Sequence, residues 1–448
     1  MMLRNVFLTT NMIPHENRMK RKKRIEELLK TANADTGDTI KIIRGNEQYE
    51  GVLMPHHEFS DEDIITVKLT NGYNIGVAVD ESTTIYLVQK HPTGEQRAKH
   101  IPFDPNKPTI SIVGTGGTIA CYVDYRTGAV HPATSAEQLA FSVPEIFDLC
   151  NVNAQVAFQM LSENIEVHHW QTLAEIIAKE LNSGAHGVVV PHGTDTLGYT
   201  AAALSFMLKD LTGPVVLVGA QRSSDRPSSD AAQNLMAAAR VAATSDIGEV
   251  VVVMHGEISD SFSLIHRGTK VRKLHTSRRD AFKTVNGQPL GTVDHDVINM
   301  KEPYQKKTAG TVRVENKMEE DVAIVYFHPG MKAEDIPRKK GLVLMGTGLG
   351  HVSTKLIPIL QKIIENGTTV VMTSQCLFGR VNMRVYSTGR DLIKAGVISA
   401  DDMLPETAYV KLMWVLAKAK TRDEVEQLMT TNISGEISER MKTDAFLP

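Results

Sequence analysis

From residue 109 onward, short continuous apolar runs alternate with longer amphipathic stretches. The runs 109–113, 187–191, 214–219 and 249–254 contain segments such as VVVP and VVLVG. Uninterrupted apolar runs of this length predict strands buried on both faces, as in a parallel sheet covered by helices. Between them, 135–150, 170–181, 197–208 and 230–243 carry the helical period. A second, shorter series (322–327, 341–345, 368–373) follows a charged link at 312–320. The pattern before residue 90 differs. Residues 39–43, 49–54, 64–69, 73–79 and 84–88 are short, β-branched and bounded by turn residues. Asn71-Gly72 lies between two of them, and both residues tolerate the positive φ of a tight hairpin. Five short strands over so little chain predict a small closed barrel, which removes exposed sheet edges.

Residues 19–33 predict a basic helix with Ile25, Leu28 and Leu29 on one face. Its charge run reads first as a solvated helix face and second as an RNA contact. Met12 and Met19 are alternative starts, so residues 1–18 are expected to be a frayed tail or to precede the true start. The organisation expected is a tail and helix (1–36), a small β-barrel (37–90), a polar proline-bearing link, a large α/β domain (105–312) and a smaller one (321–447).

Composition narrows the function classes. The chain has 448 residues, 42% of them hydrophobic and 23% charged, the balance of an ordinary globular protein of roughly three domains. With 49 basic and 52 acidic residues its formal charge is −3, which argues against bulk nucleic-acid binding through counterion release. Cys121, Cys150 and Cys376 form no CxxC pair, which disfavours a zinc site and a disulfide framework and fits a reducing compartment. No apolar run is long enough to span a membrane. His168 and His169 are expected to point apart, so no metal site is expected there.

Candidate chemistry sits at two predicted strand ends. One runs into Gly114-Thr-Gly-Gly-Thr-Ile-Ala120. It lacks the GxGxxG spacing and the following Lys-Ser/Thr of a phosphate loop, yet it offers two hydroxyls, Thr115 and Thr118. The other is Pro191-His-Gly-Thr-Asp-Thr196, where His192 reads as a packed histidine and Asp195 as a helix cap. Open α/β sheets bind ligands at such carboxyl ends. The turn Gly346-Thr-Gly-Leu-Gly-His351 is a possible second ligand loop, or a tight βα turn.

TGGTIA at 115–120 and HGTDT at 192–196 resemble the paired signatures of the L-asparaginase/glutaminase family of threonine amidohydrolases. Ser162-Glu-Asn164 resembles its substrate-carboxylate loop, Gly219–Asp230 (GAQRSSDRPSSD) its type I branch, and His266–His275 (HRGTKVRKLH) the segment with its catalytic lysine. With the N-terminal barrel added, and with YRTGAVHP at 125–132, SQCLFGRVNMRVYSTG at 374–389 and DMLPETA at 402–408, the chain resembles the D subunits of archaeal Glu-tRNA(Gln) amidotransferases.

The resemblance implies a two-domain α/β amidohydrolase behind a barrel. It implies Thr118 as nucleophile with Tyr125 beside it on a lid, and Thr194, Asp195 and Lys273 as a second group in which the lysine draws a proton through Thr194. Ser162 would bind the substrate's α-carboxylate, and Asp195, helped by Glu163, its α-ammonium. By composition alone Lys270, Arg272 and Lys273 are equivalent, and a solvated lysine is the bland reading; the nine-residue spacing to Phe282, shared with the family, selects Lys273. An ordinary lysine titrates near about 10.4. A basic lysine therefore needs burial or cationic neighbours, and Lys270 and Arg272 are the candidates, with Asp195 expected to turn away from it. The resemblance further implies no cofactor or metal in this chain, ATP and Mg on a partner (the E subunit of such enzymes), a homodimer of this chain inside a heterotetramer, Glu-tRNA(Gln) held mostly by the partner, and a cytoplasmic setting. Two other readings stay open: a free-standing cytoplasmic L-asparaginase, and an RNA-binding module with a structural amidohydrolase half.

Overall fold

The computed structural model describes residues 15–54, 64–69, 74–90, 101–116, 121–123, 130–132, 143–222 and 229–446. They fall into two compact units, one within residues 1–99 with parts of 122–131 and 224–229, the other comprising the rest.

In the first unit, helix α1 (His15–Ala32) precedes β1 (Thr39–Arg44), β2 (Glu47–Leu53), β3 (Ile64–Lys68), β4 (Asn74–Ala78) and β5 (Thr83–Gln89). The strands form one antiparallel sheet of order β4-β3-β2-β1-β5. Period-two alternation sends Ile40 and Ile42 of β1 fully inward, where Leu53, Ile65, Val67, Val77 and Ile85 from the other four strands meet them. Ile25 of the basic helix closes the same core, so the apolar stripe of that helix is a packing face. Among the described residues no ladder joins β4 to β5. The Asn71-Gly72 turn lies outside the described residues, but the register Lys68↔Asn74 brings its flanking strands together.

In the second unit, eight strands form a sheet of order β18-β17-β14-β13-β12-β10-β6-β9. The five members at one side are β6 (Thr109–Gly114), β9 (Asn151–Val156), β10 (Val188–Pro191), β12 (Val215–Val218) and β13 (Val250–His255). They are parallel, and the last three are buried throughout. The parallel sheet expected from the apolar runs is continued by β14 (Ser263–Arg267), β17 (Gly291–Asp294) and β18 (Val297–Met300), which pair antiparallel. Only residues 256–262 join β13 to β14, too short for the crossover a parallel neighbour needs. Helices α2 (Ile146–Leu149), α3 (Val167–Asn182), α4 (Leu197–Met207) and α5 (Ala231–Thr244) accompany this sheet. Of the helix expected over 135–150, residues 133–142 lie outside the described set. Two small antiparallel pairs stand beside it: β11 (Leu208–Lys209) with β19 (Arg313–Val314), and β15 (Val271–Lys273) with β16 (Phe282–Thr284). A third pair, β7 (Cys121–Val123) with β8 (Val130–Pro132), belongs mostly to the first unit.

The smaller part of the second unit is a fully parallel four-stranded sheet of β20 (Val322–Tyr326), β21 (Gly341–Gly346), β22 (Thr369–Ser374) and β23 (Ile398–Ser399). Helices α6 (Ile357–Glu365), α7 (Ser387–Lys394), α8 (Pro405–Leu416) and α9 (Arg422–Thr430) belong to it. Helix α8 joins the two parts. Its Tyr409 meets Tyr199 of α4 edge-on, and its Trp414 packs on Phe206 of the same helix. Among the described residues no helix is long and apolar enough to cross a membrane.

Candidate active site

Strands β6 and β10 are parallel neighbours, so their carboxyl ends open at the same edge of the sheet. After β6, the Thr115 hydroxyl donates to the Pro191 carbonyl at 2.9 Å. That bond ties the two loops together and commits Thr115 to structure. Thr118 and Tyr125, on which the family resemblance places the nucleophile and its neighbour, lie outside the described residues.

After β10, the loop rests on a buried polar floor. The Trp170 Nε1–H lies 3.0 Å from the Thr200 hydroxyl oxygen, and that hydroxyl lies 2.9 Å from His192 Nε2. An indole nitrogen only donates, so Thr200 accepts from it and gives its own proton to Nε2. The histidine proton therefore sits on Nδ1, which donates to the Gly193 carbonyl at 2.6 Å. Burial pushes His192 down to about 4, so it is a neutral strut that shapes the turn.

Above this floor Thr194 is nearly buried, and Lys273, on β15, reaches it. Lys273 Nζ donates to Thr194 Oγ1 at 2.8 Å and to Asp195 Oδ1 at 2.9 Å. The lysine side chain is 15% exposed and that of Asp195 69%, which leaves the carboxylate open to solvent and to a ligand. Two glycines make the approach possible. A Cβ at Gly193 would stand 2.7 Å from Ser162 Cβ, and one at Gly219, just past β12, 2.7 Å from Thr194 Cγ2. Ser162 is thus pressed against the Gly193–Thr194 turn. Its carbonyl accepts from the Thr196 hydroxyl at 2.7 Å, and Glu163 stands exposed beside it.

The structure accordingly brings together Thr194, Asp195, Lys273 and Ser162 from separated stretches of chain. Three expectations are corrected. Asp195 pairs with Lys273 instead of turning away from it. Lys270 and Arg272 do not press on Lys273. Alternation along β15 sends them to the opposite side, where Lys270 meets Asp402 at 2.7 Å and Arg272 meets Glu406 at 3.2 Å. Burial pushes Lys270 down and Glu406 up, each opposed by its partner's charge. His168 and His169 do not diverge either: their ring centroids lie 3.7 Å apart, because His169 Nδ1 turns back to accept the Glu166 N–H at the start of α3. Among the described residues no group of three metal-ligating side chains comes together.

Sequence reasoning gave no role to Trp170, Thr200 and Gly219, nor to Asp402 and Glu406. The last two lie inside the DMLPETA segment, whose resemblance carried no chemistry by itself.

Comparison with known proteins agrees with this layout. Residues 109–306 match the family "Asparaginase, N-terminal", residues 321–429 the "Glutaminase/Asparaginase C-terminal domain", and residues 34–88 the "GatD N-terminal domain". The chain is 52% identical over 437 residues to the D subunit of the glutamyl-tRNA(Gln) amidotransferase of Pyrococcus furiosus, covering 95% of this chain and 100% of the relative. It is 50% identical to the D subunit from Pyrococcus abyssi, with the same coverage. The thermostable L-asparaginase from Thermococcus kodakarensis superposes with a TM-score of 0.67 at 29% identity, covering 74% of this chain and 100% of the asparaginase.

Proposed function

We propose a function for this chain, which belongs to the family of glutamyl-tRNA(Gln) amidotransferase D subunits and carries an asparaginase-type catalytic unit: it hydrolyses the side-chain amide of glutamine and supplies ammonia for converting Glu-tRNA(Gln) to Gln-tRNA(Gln). The observation that carries this reading is the 2.8 Å contact between Lys273 Nζ and Thr194 Oγ1 at the carboxyl end of the sheet, with Ser162 against the same turn.

Amide cleavage needs a nucleophile, a base and a place to hold the substrate's fixed charges. We assign the attack on the amide carbon to Thr118, and keep for Tyr125 the assisting role that the family resemblance implies. The hydroxyl proton passes to the leaving nitrogen, the C–N bond breaks, ammonia departs, and a glutamyl ester remains on Thr118. Water then attacks the ester. Lys273, in its neutral form, draws the proton through Thr194, and glutamate leaves as the Thr118 hydroxyl is restored. Ser162 binds the α-carboxylate, while Asp195 and Glu163 face the α-ammonium. For Asp195 that role means exchanging Lys273 for the substrate's ammonium, a swap its exposure permits.

Joining ammonia to a tRNA-bound carboxylate requires activation by ATP with Mg. No Walker loop occurs in this sequence, so we assign that step, and most of the tRNA contact, to a partner chain, the E subunit. The assembly we propose is a homodimer of this chain within a cytoplasmic heterotetramer. The test is glutamine hydrolysis by the lone chain, by the complex, and by the complex with Glu-tRNA(Gln). Strong stimulation by partner and charged tRNA is expected. Full turnover of free asparagine by the lone chain, without stimulation, would instead establish a free-standing asparaginase.

A further inference from the structure

The ribbon that carries Lys273 has little to hold it in place by itself. It consists of three cross-strand pairs, Val271↔Thr284, Arg272↔Lys283 and Lys273↔Phe282, outside the eight-stranded sheet. A two-stranded ribbon of that length is marginal alone, so its position is set by what grips it. Its apolar residues Val271 and Phe282 are buried, and its polar grip comes from the segment that leads into α8. The buried Asp402 carboxylate accepts from Lys270 Nζ at 2.7 Å, and its backbone carbonyl accepts from the Asn286 side chain at 2.9 Å. Both chain ends of the ribbon therefore converge on one residue. Glu406, on the first turn of α8, accepts from Arg272 at 3.2 Å, and the neighbouring Thr407 hydroxyl donates to the Thr269 carbonyl at 2.9 Å. Ser438 closes the clamp, donating its N–H to Asp402 at 3.0 Å and accepting from Lys270 at 3.1 Å.

We infer that Asp402 and Glu406 are positioning residues: from the smaller domain they hold the outward face of β15, so that the inward-facing Lys273 stays within proton-transfer distance of Thr194. Neither touches Thr194, Asp195 or Lys273 in any bond described above. The inference rests on the functional reading given to Lys273. A displacement of about 1 Å in a reacting group costs on the order of 10²-fold in rate, which is the scale on which loosening this clamp is felt.

The Arg272–Glu406 pair offers the cleaner test, because Arg272 is 31% exposed and tolerates loss of its partner, whereas Asp402→Asn strands a buried ammonium. In the full complex, Glu406→Gln and Arg272→Gln remove an anion and a cation respectively. If the pair positions Lys273, both variants lower the plateau of glutaminase kcat at least about tenfold at every pH, leave the glutamine KM nearly unchanged, and leave the pH midpoint where it was. The double variant is then no worse than the poorer single one, since both remove one interaction. If the pair acts only through its charges, the two variants move the midpoint in opposite directions, and the inference is wrong. It is equally wrong if both retain wild-type kcat. Should either single variant fail to fold, Arg272→Met with Glu406→Leu removes both charges and is judged by the same kcat plateau. Lys273→Met serves as control: turnover retained there overturns the functional reading itself, while turnover lost there but intact in the pair variants overturns this inference alone.

Discussion

Two loops of this protein share a sequence and differ in use. Gly114-Thr115-Gly116 follows β6 of the larger sheet, and Gly346-Thr347-Gly348 follows β21 of the smaller one; both sheets are parallel at these strands. In the smaller sheet the loop closes on itself. Thr347 N–H donates to the His351 carbonyl at 2.8 Å, the His351 N–H returns to the Thr347 carbonyl at 3.0 Å, and the Thr347 hydroxyl also turns to the His351 carbonyl. Ser374, at the end of β22, donates its hydroxyl to the Gly348 carbonyl. In the larger sheet Thr115 is likewise committed, but it holds the β10 loop, and that loop leaves the Thr194 hydroxyl to the Lys273 amine. A hydroxyl-bearing glycine turn at a strand end is therefore a scaffold first. It becomes a reactive site only where a second chain segment delivers an ionisable group to a hydroxyl that the turn has not already consumed.

Removing the delivered contact should erase the distinction between the two loops. Thr194→Val keeps the methyl that packs at Gly219 and removes only the oxygen facing Lys273. Glutaminase kcat should fall by about 10³-fold or more, as expected when proton transfer fails, with the thermal midpoint nearly unchanged. Thr118→Ala should fall at least as far. Turnover near wild type in a folded Thr194→Val protein would put this loop in the same class as its counterpart in the smaller sheet.

The polar floor beneath the larger loop, built on the fully buried His192, should show in the pH dependence of folding. Burial pushes His192 in that floor down to about 4, and it pushes a second histidine, His266 on β14, down to about 3. Unfolded, each imidazole takes up a proton near about pH 6.5; folded, neither does until the lower value. Between these limits the unfolded state binds more protons, so stability is complete above about pH 6.5 and is lost as pH falls. With two such groups the free energy of unfolding should drop by up to about 2.7 kcal/mol per pH unit below about pH 6. Denaturant unfolding between roughly pH 7 and 4.5 reads this directly. A flat profile would mean that these histidines are charged in the fold, and that the tautomer argued for His192 is wrong.

How much of this was legible in sequence follows from the range of the forces involved. The apolar runs located β10, β12 and β13 to within about a residue, because double-sided burial leaves no other pattern. The antiparallel strands β14, β17 and β18 were not located, since runs of four or five residues with polar interruptions, such as Ser263-Leu-Ile-His-Arg267, are too short to establish a period. Thr194 and Asp195 could be placed at a strand end from their neighbours in sequence. Lys273 could not be separated from Lys270 and Arg272 by residue type. That choice is made by alternation on a ribbon and by the distant carboxylates Asp402 and Glu406, 132 and 134 residues away from their partners. Local chemistry was readable; the partner that decides which cation faces the site was not.

The smaller-sheet loop supplies the mildest test. Thr347→Val removes a hydroxyl whose bond to the His351 carbonyl is 3.2 Å long and exposed, while two backbone bonds continue to close the turn. An exposed bond of that kind contributes at most about 0.5–1 kcal/mol, and no acidic or lysine side chain occurs within residues 346–351 for the hydroxyl to serve. The variant should therefore keep glutaminase kcat and KM within about twofold of wild type, with a barely measurable change in thermal midpoint. A large loss of turnover would show that the smaller-sheet loop reaches the chemistry after all, and that its self-contained hydrogen bonding does not mark a turn as inert.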